Sequence, residues 1–203
     1  MKHTLYIFLI ALIALSCTGN TQSVQTKKEV AEPLLIQNYL DNFLSENPNC
    51  IDNDILREEC GEKLKVGVIN GLMGDSIRFI TQIPVEYEMS LRQGDDSYII
   101  KFVCGKNVTN LRVSDKYDVS FQLFSIVDKE TAKTIKDKGR YYVSGTCNAY
   151  ADNKTFPLPS GKKYSNYPRI TKSSSIGGDK PNFDLGTFVV KNITLNSAGQ
   201  EAR

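Results

Sequence analysis

Two periods of apolar residues follow one another along the chain. In the first part the spacing is helical. Ile36, Tyr39, Leu40, Phe43 and Leu44 fall on one side, with Gln37, Asp41, Asn42 and Ser45 opposite. Pro33 suits a first helical residue, and Asn47-Pro48-Asn49 ends the segment. A second helix is expected after Asp52 or Asn53, either of which can cap it, with Cys60, Leu64, Val68 and Leu72 repeating every fourth residue. Gly61, Gly67 and Gly71 oppose that helix, because an interior glycine costs roughly 1 kcal/mol against alanine. Val66–Ile69 also suits a short strand.

From Ser76 the period becomes two. Ile77 and Phe79 begin it, and Pro84 marks an edge or a bend. Val85, Tyr87, Met89 and Leu91 alternate with Glu86, Glu88, Ser90 and Arg92, which predicts a half-buried strand. Gly94-Asp95-Asp96-Ser97 is a hairpin turn, and Tyr98–Cys104 is the returning strand. Leu111 and Val113 extend the sheet in this reading. Tyr117–Val127 is the next strand, Asp128 caps a short helix over Lys129–Lys138, and Arg140–Ala149 is the strand after it. Residues 152–183 show no period and are rich in Pro, Ser, Gly and Lys; Leu185–Leu195 closes the pattern as a last strand.

Composition narrows the chemistry. The 203 residues carry a net charge of +2, 40% are hydrophobic and 24% charged, as expected of a folded soluble protein with a sizeable core. The only histidine is His3, in a segment expected to be removed, so Ser–His and Cys–His nucleophile systems are excluded from the mature chain. Metal binding loses its commonest ligand for the same reason, and no glycine-rich phosphate loop joins a strand to a helix. No spacing singles out two carboxylates: Glu86 and Glu88 lie on one strand face, Asp95 and Asp96 sit in a turn, and both pairs suit a solvated surface. The chain is therefore expected to be no enzyme and to need no cofactor or metal. A carboxylate-dependent hydrolase is the catalytic alternative.

Lys2 followed by the apolar run Leu5–Leu15, too short to span a bilayer comfortably, ends in Ala14-Leu15-Ser16-Cys17. This resembles the signal peptide and lipobox of bacterial lipoproteins. It departs from that pattern at Ala14, where leucine is usual. The resemblance covers the first 17 residues and implies that Cys17 becomes the lipidated first residue, held at a membrane by its acyl chains at about 0.8 kcal/mol per buried methylene. Residues 18–32 then form a polar tether. Cys50, Cys60, Cys104 and Cys147 remain, an even number in an exported chain. Of the three possible connectivities, Cys50–Cys60 with Cys104–Cys147 is preferred. If Cys60 lies well inside a helix that starts after Cys50, the first pair can be too far apart to bridge.

The strand, strand, strand, helix, strand, loop, strand order matches a five-stranded Greek-key barrel with a helix between its third and fourth strands. The run from Lys138 to Cys147, with Gly139, Gly145 and Cys147, is similar to a segment of exported OB-fold proteins like the tRNA-anticodon-binding domain, and Asp184–Leu195 looks like their closing strand. That resemblance implies a barrel and no particular ligand. The expected architecture is thus mainly β with α: residues 1–16 a signal peptide, 17–32 a tether, 33–75 a helical extension, 76–196 an OB-like barrel and 197–203 a polar tail. A cystatin-like α+β roll is the rival, with a β-sandwich behind it.

The candidate ligand site is the basic, aromatic segment with Lys162, Lys163, Tyr164, Tyr167 and Arg169, in which Lys154, Lys172 and Lys180 add charge. An exported lipoprotein meets little nucleic acid, so an envelope protein or an anionic glycan is the expected partner. The expected function is a lipid-anchored cell-envelope module that binds a protein or ligand. A structural envelope lipoprotein without a small ligand is the other non-catalytic reading.

Overall fold

The computed structural model describes residues 34–73, 78–105, 114–150, 168–175 and 178–198. The expected signal peptide, Cys17, the tether, and Leu111 and Val113 lie outside them. Two helices come first, α1 (Leu35–Glu46) and α2 (Asp54–Met73). The helical stripe of α1 is the buried one: Ile36, Leu40 and Phe43 face the core. Asn47 ends the helix by donating both its backbone N–H and its side-chain amide to the Phe43 carbonyl, at 3.0 and 2.9 Å. Asn53 caps α2 by accepting from the Leu56 N–H at 2.9 Å. Cys60, Leu64 and Val68 are buried at the expected four-residue spacing. The helix runs through Val66–Ile69, so the strand alternative there is wrong. Gly67 is part of the reason: a Cβ on it would stand 2.4 Å from the Tyr39 hydroxyl, so the glycine lets α1 and α2 approach.

Six strands follow: β1 (Ile83–Arg92), β2 (Ser97–Gly105), β3 (Asp118–Asp128), β4 (Arg140–Tyr150), β5 (Arg169–Ser175) and β6 (Gly178–Ser197), with the short helix α3 (Lys129–Thr134) between β3 and β4. The sheet order is β3-β2-β1-β4-β6-β5, and a further pairing of β3 with β6 closes a ring of hydrogen bonds. The β3–β6 pair is parallel; all others are antiparallel. The Arg140 strand lies beside the Val85 strand, with Val85 opposite Tyr141. A helix laid across a simple meander would not produce this closure.

Three boundaries differ from the sequence reading. Residues 78–82 are not strand, although Phe79 and Ile80 are buried; Gln82 adopts a left-handed φ of 52° before β1 begins. Pro84 then sits inside β1 opposite Tyr142, in the stretch that precedes the β2 pairing, where a missing N–H is tolerated. The helix after Asp128 stops at Thr134 rather than Lys138, because Ile135 turns to extended backbone and the Lys136 N–H donates to the Tyr141 hydroxyl at 2.7 Å. The stretch read as an unpatterned loop contains β5 and the first part of β6, paired from Arg169↔Asp184 to Ser175↔Gly178.

Aromatic rings fill the interior. Phe79, Phe121 and Phe188 meet edge to face, with centroids 4.9–6.1 Å apart. Helix α1 is fixed to the ring through Phe43 against Phe183 at 6.0 Å, beside Tyr117 against Phe183 at 5.2 Å. The Tyr117 hydroxyl donates to the Gln37 carbonyl at 3.2 Å. Burial, and then the negative Asp41 nearby, push the Tyr117 phenol well above its ordinary pKa, so it stays a neutral donor.

Candidate functional site

Side chains alternate across a strand, so one face of each ring strand points away from the interior. On β2 the interior set is Ile100, Phe102 and Cys104, and the outer set is Ile99, Lys101 and Val103. On β3 the interior set is Val119, Phe121, Leu123 and Val127, and the outer set includes Gln122, Phe124 and Ile126. The pairing register aligns the outer residues in three rows. Leu91, Ile99 and Ile126 form one. Met89, Lys101, Phe124 and Val189 form the second. Glu86, Val103, Gln122 and Thr187 form the third.

This outer face is unlike a solvated one. Ile99 is 2% exposed and Phe124 0%, yet neither belongs to the interior cluster. Ile126 beside them is 50% exposed. Lys101 is also buried, and its ammonium meets the Glu88 carboxylate at 2.5 Å. That contact comes from a β-bulge: the register slips between Tyr87 and Met89, which re-aims Glu88 toward Lys101. In the third row two polar atoms are buried without a hydrogen-bond partner, Gln122 Oε1 and Thr187 Oγ1, and their residues face each other across the parallel pair. An amide oxygen can only accept; a hydroxyl can donate and accept. Both atoms are closed off from solvent, so a group from outside could pair with them only if this face opened. Each such unpaired buried group costs about 1–3 kcal/mol, so its presence calls for an explanation.

A cleft of about 510 Å³ between α1 and α2 is lined by Tyr39, Asn42, Phe43, Glu46, Asn47, Lys63 and Gly67. Here Asn47 is occupied: its amide donates to Phe43 and its oxygen accepts from Lys63 at 3.2 Å. Burial, followed by the Glu46 charge, raises the Tyr39 pKa. These groups are spent on holding the helices together.

Among the residues expected to form a site, Lys162, Lys163, Tyr164 and Tyr167 lie outside the described residues, as does Lys154. Arg169 is on β5, where its guanidinium pairs with Asp184 at 2.9 Å across the β5–β6 ladder. Lys172 pairs with Asp179 and Lys180 with Asp118, at 2.9 and 2.8 Å. Glu86 and Glu88 do not converge on one point: Glu86 meets Arg140 at 3.4 Å while Glu88 meets Lys101. The four expected disulfide partners are free thiols. Cys104 and Cys147 stand apart for a topological reason. Val103 and Arg140 share the partner Glu86, so Cys104 is level with Tyr141, and Cys147 is 147 − 141 = 6 positions further on, with β1 between the two strands. Two strand spacings are about 9–10 Å, beyond the roughly 4.4–6.8 Å between Cα atoms that a disulfide spans.

The outer face was absent from the sequence reading. Its signal is present in the doublets Ile99-Ile100 and Leu123-Phe124 and the triplet Phe188-Val189-Val190, which break the alternation and mark strands buried on both sides. No protein-family model, curated protein or solved structure matches the chain.

Proposed function

We propose that the chain is a lipid-anchored module of the cell envelope that binds a protein partner and performs no catalysis, and that its ring of strands is an OB-like five-stranded barrel to which β5 is added. The support for the barrel is the order β1-β2-β3-β6-β4 with a helix after the third strand. OB-like barrels take ligands on the face of their second and third strands. The observation that carries the binding reading is on the outer face: Leu91 and Ile126 are exposed in its first row, and Gln122 Oε1 and Thr187 Oγ1 are buried and unpartnered in its third. A partner segment's apolar side chains would cover Ile126 and Leu91, and its backbone N–H and C=O groups would pair Gln122 and Thr187 once docking moves the side chains that now cover those two atoms. The support for the anchor is the apolar run that ends at Cys17.

A photo-crosslinking residue at Ile126 tests this in intact cells. A discrete adduct should form, and replacing Gln122 by Met and Thr187 by Val should remove it while the protein stays folded. Cys17→Ala should release the protein from the membrane fraction. A silent crosslinker would favour a purely structural envelope role, and Cys17→Ala protein still in the membrane fraction would overturn the anchor.

A further inference from the structure

Cys50 lies in the turn between α1 and α2, where its N–H donates to the Asn47 carbonyl at 3.2 Å. Cys60 lies nearly two turns into α2, the arrangement that can put such a pair too far apart to bridge, but here its thiol reaches Oδ1 of the same Asn47 at 3.9 Å. Asn47 therefore contacts the Cys50 backbone and the Cys60 thiol. The two cysteines are 1% and 6% exposed and belong to one apolar cluster. Burial, and next the neighbouring Cys60, push the Cys50 thiol up to about 11. No group of three or more metal-ligating side chains exists among the described residues, so nothing there assigns the pair to a metal. A buried neighbouring pair of thiols in an exported chain has one common chemical fate.

We propose that Cys50 and Cys60 close to a disulfide that joins the α1–α2 turn to α2 when the chain meets a disulfide oxidant. The exchange balances with a small disulfide such as oxidised glutathione. The Cys60 thiolate attacks one sulfur, forms a mixed disulfide and releases one glutathione thiolate. The Cys50 thiolate then attacks the Cys60 sulfur and releases the second. One S–S bond forms in the protein, one breaks in the oxidant, and the two protons end on the two glutathione thiols. Because both cysteines are buried once the hairpin packs, the exchange accompanies folding. Cys60, the more exposed and part of α2, is the attacking thiol. Cys104 and Cys147 take no part, being held apart by β1.

The full chain is unfolded in urea, refolded in oxidised and reduced glutathione, quenched with acid, alkylated and mapped by proteolysis without reduction. Arg57 separates the two cysteines, so the linked peptides are distinguishable from single ones. The expected product is a Cys50–Cys60 linked pair, lighter by two hydrogens, with Cys104 and Cys147 alkylated. Oxidation should also raise the thermal midpoint of the wild-type chain and of Cys104→Ala, and leave that of Cys60→Ala unchanged. Recovery of alkylated Cys50 and Cys60 from the oxidised chain, or of either linked to Cys104 or Cys147, overturns the proposal. The mapping uses the wild-type chain, so it stands even where a variant fails to fold.

Discussion

Thr187→Val separates the outer-face reading from an ordinary buried strand. The residue is 0% exposed, and its hydroxyl has no hydrogen-bond partner. Valine replaces that hydroxyl by a methyl of nearly the same shape, so the cavity and overpacking terms that dominate most core substitutions drop out. What remains is the desolvation cost of the hydroxyl, about 1–3 kcal/mol, together with a small strand preference for valine. The free protein should gain about 1–2 kcal/mol in urea unfolding, which corresponds to roughly 2–8 °C in thermal midpoint for a domain of this size. Partner capture should move the other way, weakening about 5–10-fold for one lost hydrogen bond. Gln122→Met completes a double-mutant cycle, because Gln122 and Thr187 are paired directly across β3 and β6. With both atoms unpaired in the free protein, the two stability gains should add. A coupling above about 0.5 kcal/mol would mean that the two side chains interact, directly or through a water. A loss of stability of about 1 kcal/mol or more in Thr187→Val would refute the reasoning, since the hydroxyl would then have a partner within the free protein.

Two further outcomes follow from the packing. Gly145→Ala places a Cβ 2.4 Å from Val190 Cγ1 and 3.0 Å from the Lys191 carbonyl, inside the irregular part of the β4–β6 ladder; it should cost about 1–3 kcal/mol, and a urea titration showing under 0.5 would mean that the ladder yields. Alkaline pH should destabilise the fold through its buried thiols. Burial holds Cys104 up at about 12 against an ordinary 9.0, so the unfolded chain loses this proton first as pH rises. Stability from this group is intact below pH 9 and falls toward pH 12, by roughly 2 kcal/mol at pH 10.5. Cys147 and Cys50 act in the same direction. Urea midpoints at pH 8.5 and 10.5 check this: Cys104→Ala should show a smaller difference, and equal midpoints in the wild-type chain would refute it.

The helices were legible because their burial follows a local period. Ile36, Leu40 and Phe43, then Cys60, Leu64 and Val68, are the residues the spacing selects. Of the glycines that argued against α2, Gly67 reflects a tertiary demand, the approach of Tyr39, which local propensity does not contain. Strand β5 was illegible for the opposite reason. Its sequence Arg-Ile-Thr-Lys-Ser-Ser-Ser offers one buried apolar side chain, Ile170, and its flanks carry Pro168 and the Gly177-Gly178 pair. It is a strand because β6 is beside it. The ring closure is likewise non-local: Asp118 faces Asn182 and Phe124 faces Val189, pairs more than sixty residues apart, and no local pattern announces them.

Charge shows the same difference between chain order and space, and it changes the ligand class. Along the chain the segment from Lys154 to Lys180 is basic and suggests an anionic partner. In the sheet each described cation of that segment meets a carboxylate. Arg169 takes Asp184, Lys172 takes Asp179, and Lys180 takes Asp118, which also accepts from Ser173 at 3.0 Å. Two of these carboxylates, Asp118 and Asp184, come from outside the segment, so counting charges within it overstates its positive field. Lys180 and Asp118 are the most enclosed of the three pairs, and a glycan or phosphate that recruited Lys180 would leave a largely buried carboxylate behind, which costs more than breaking an exposed pair. The described hairpin is therefore a poor polyanion surface. The outer face differs in kind: it offers Leu91 and Ile126 as apolar contacts and two unspent hydrogen-bonding atoms at Gln122 and Thr187. Under the binding reading proposed above, that chemistry suits an amide-rich partner on the β2–β3–β6 surface better than an anion on the basic segment.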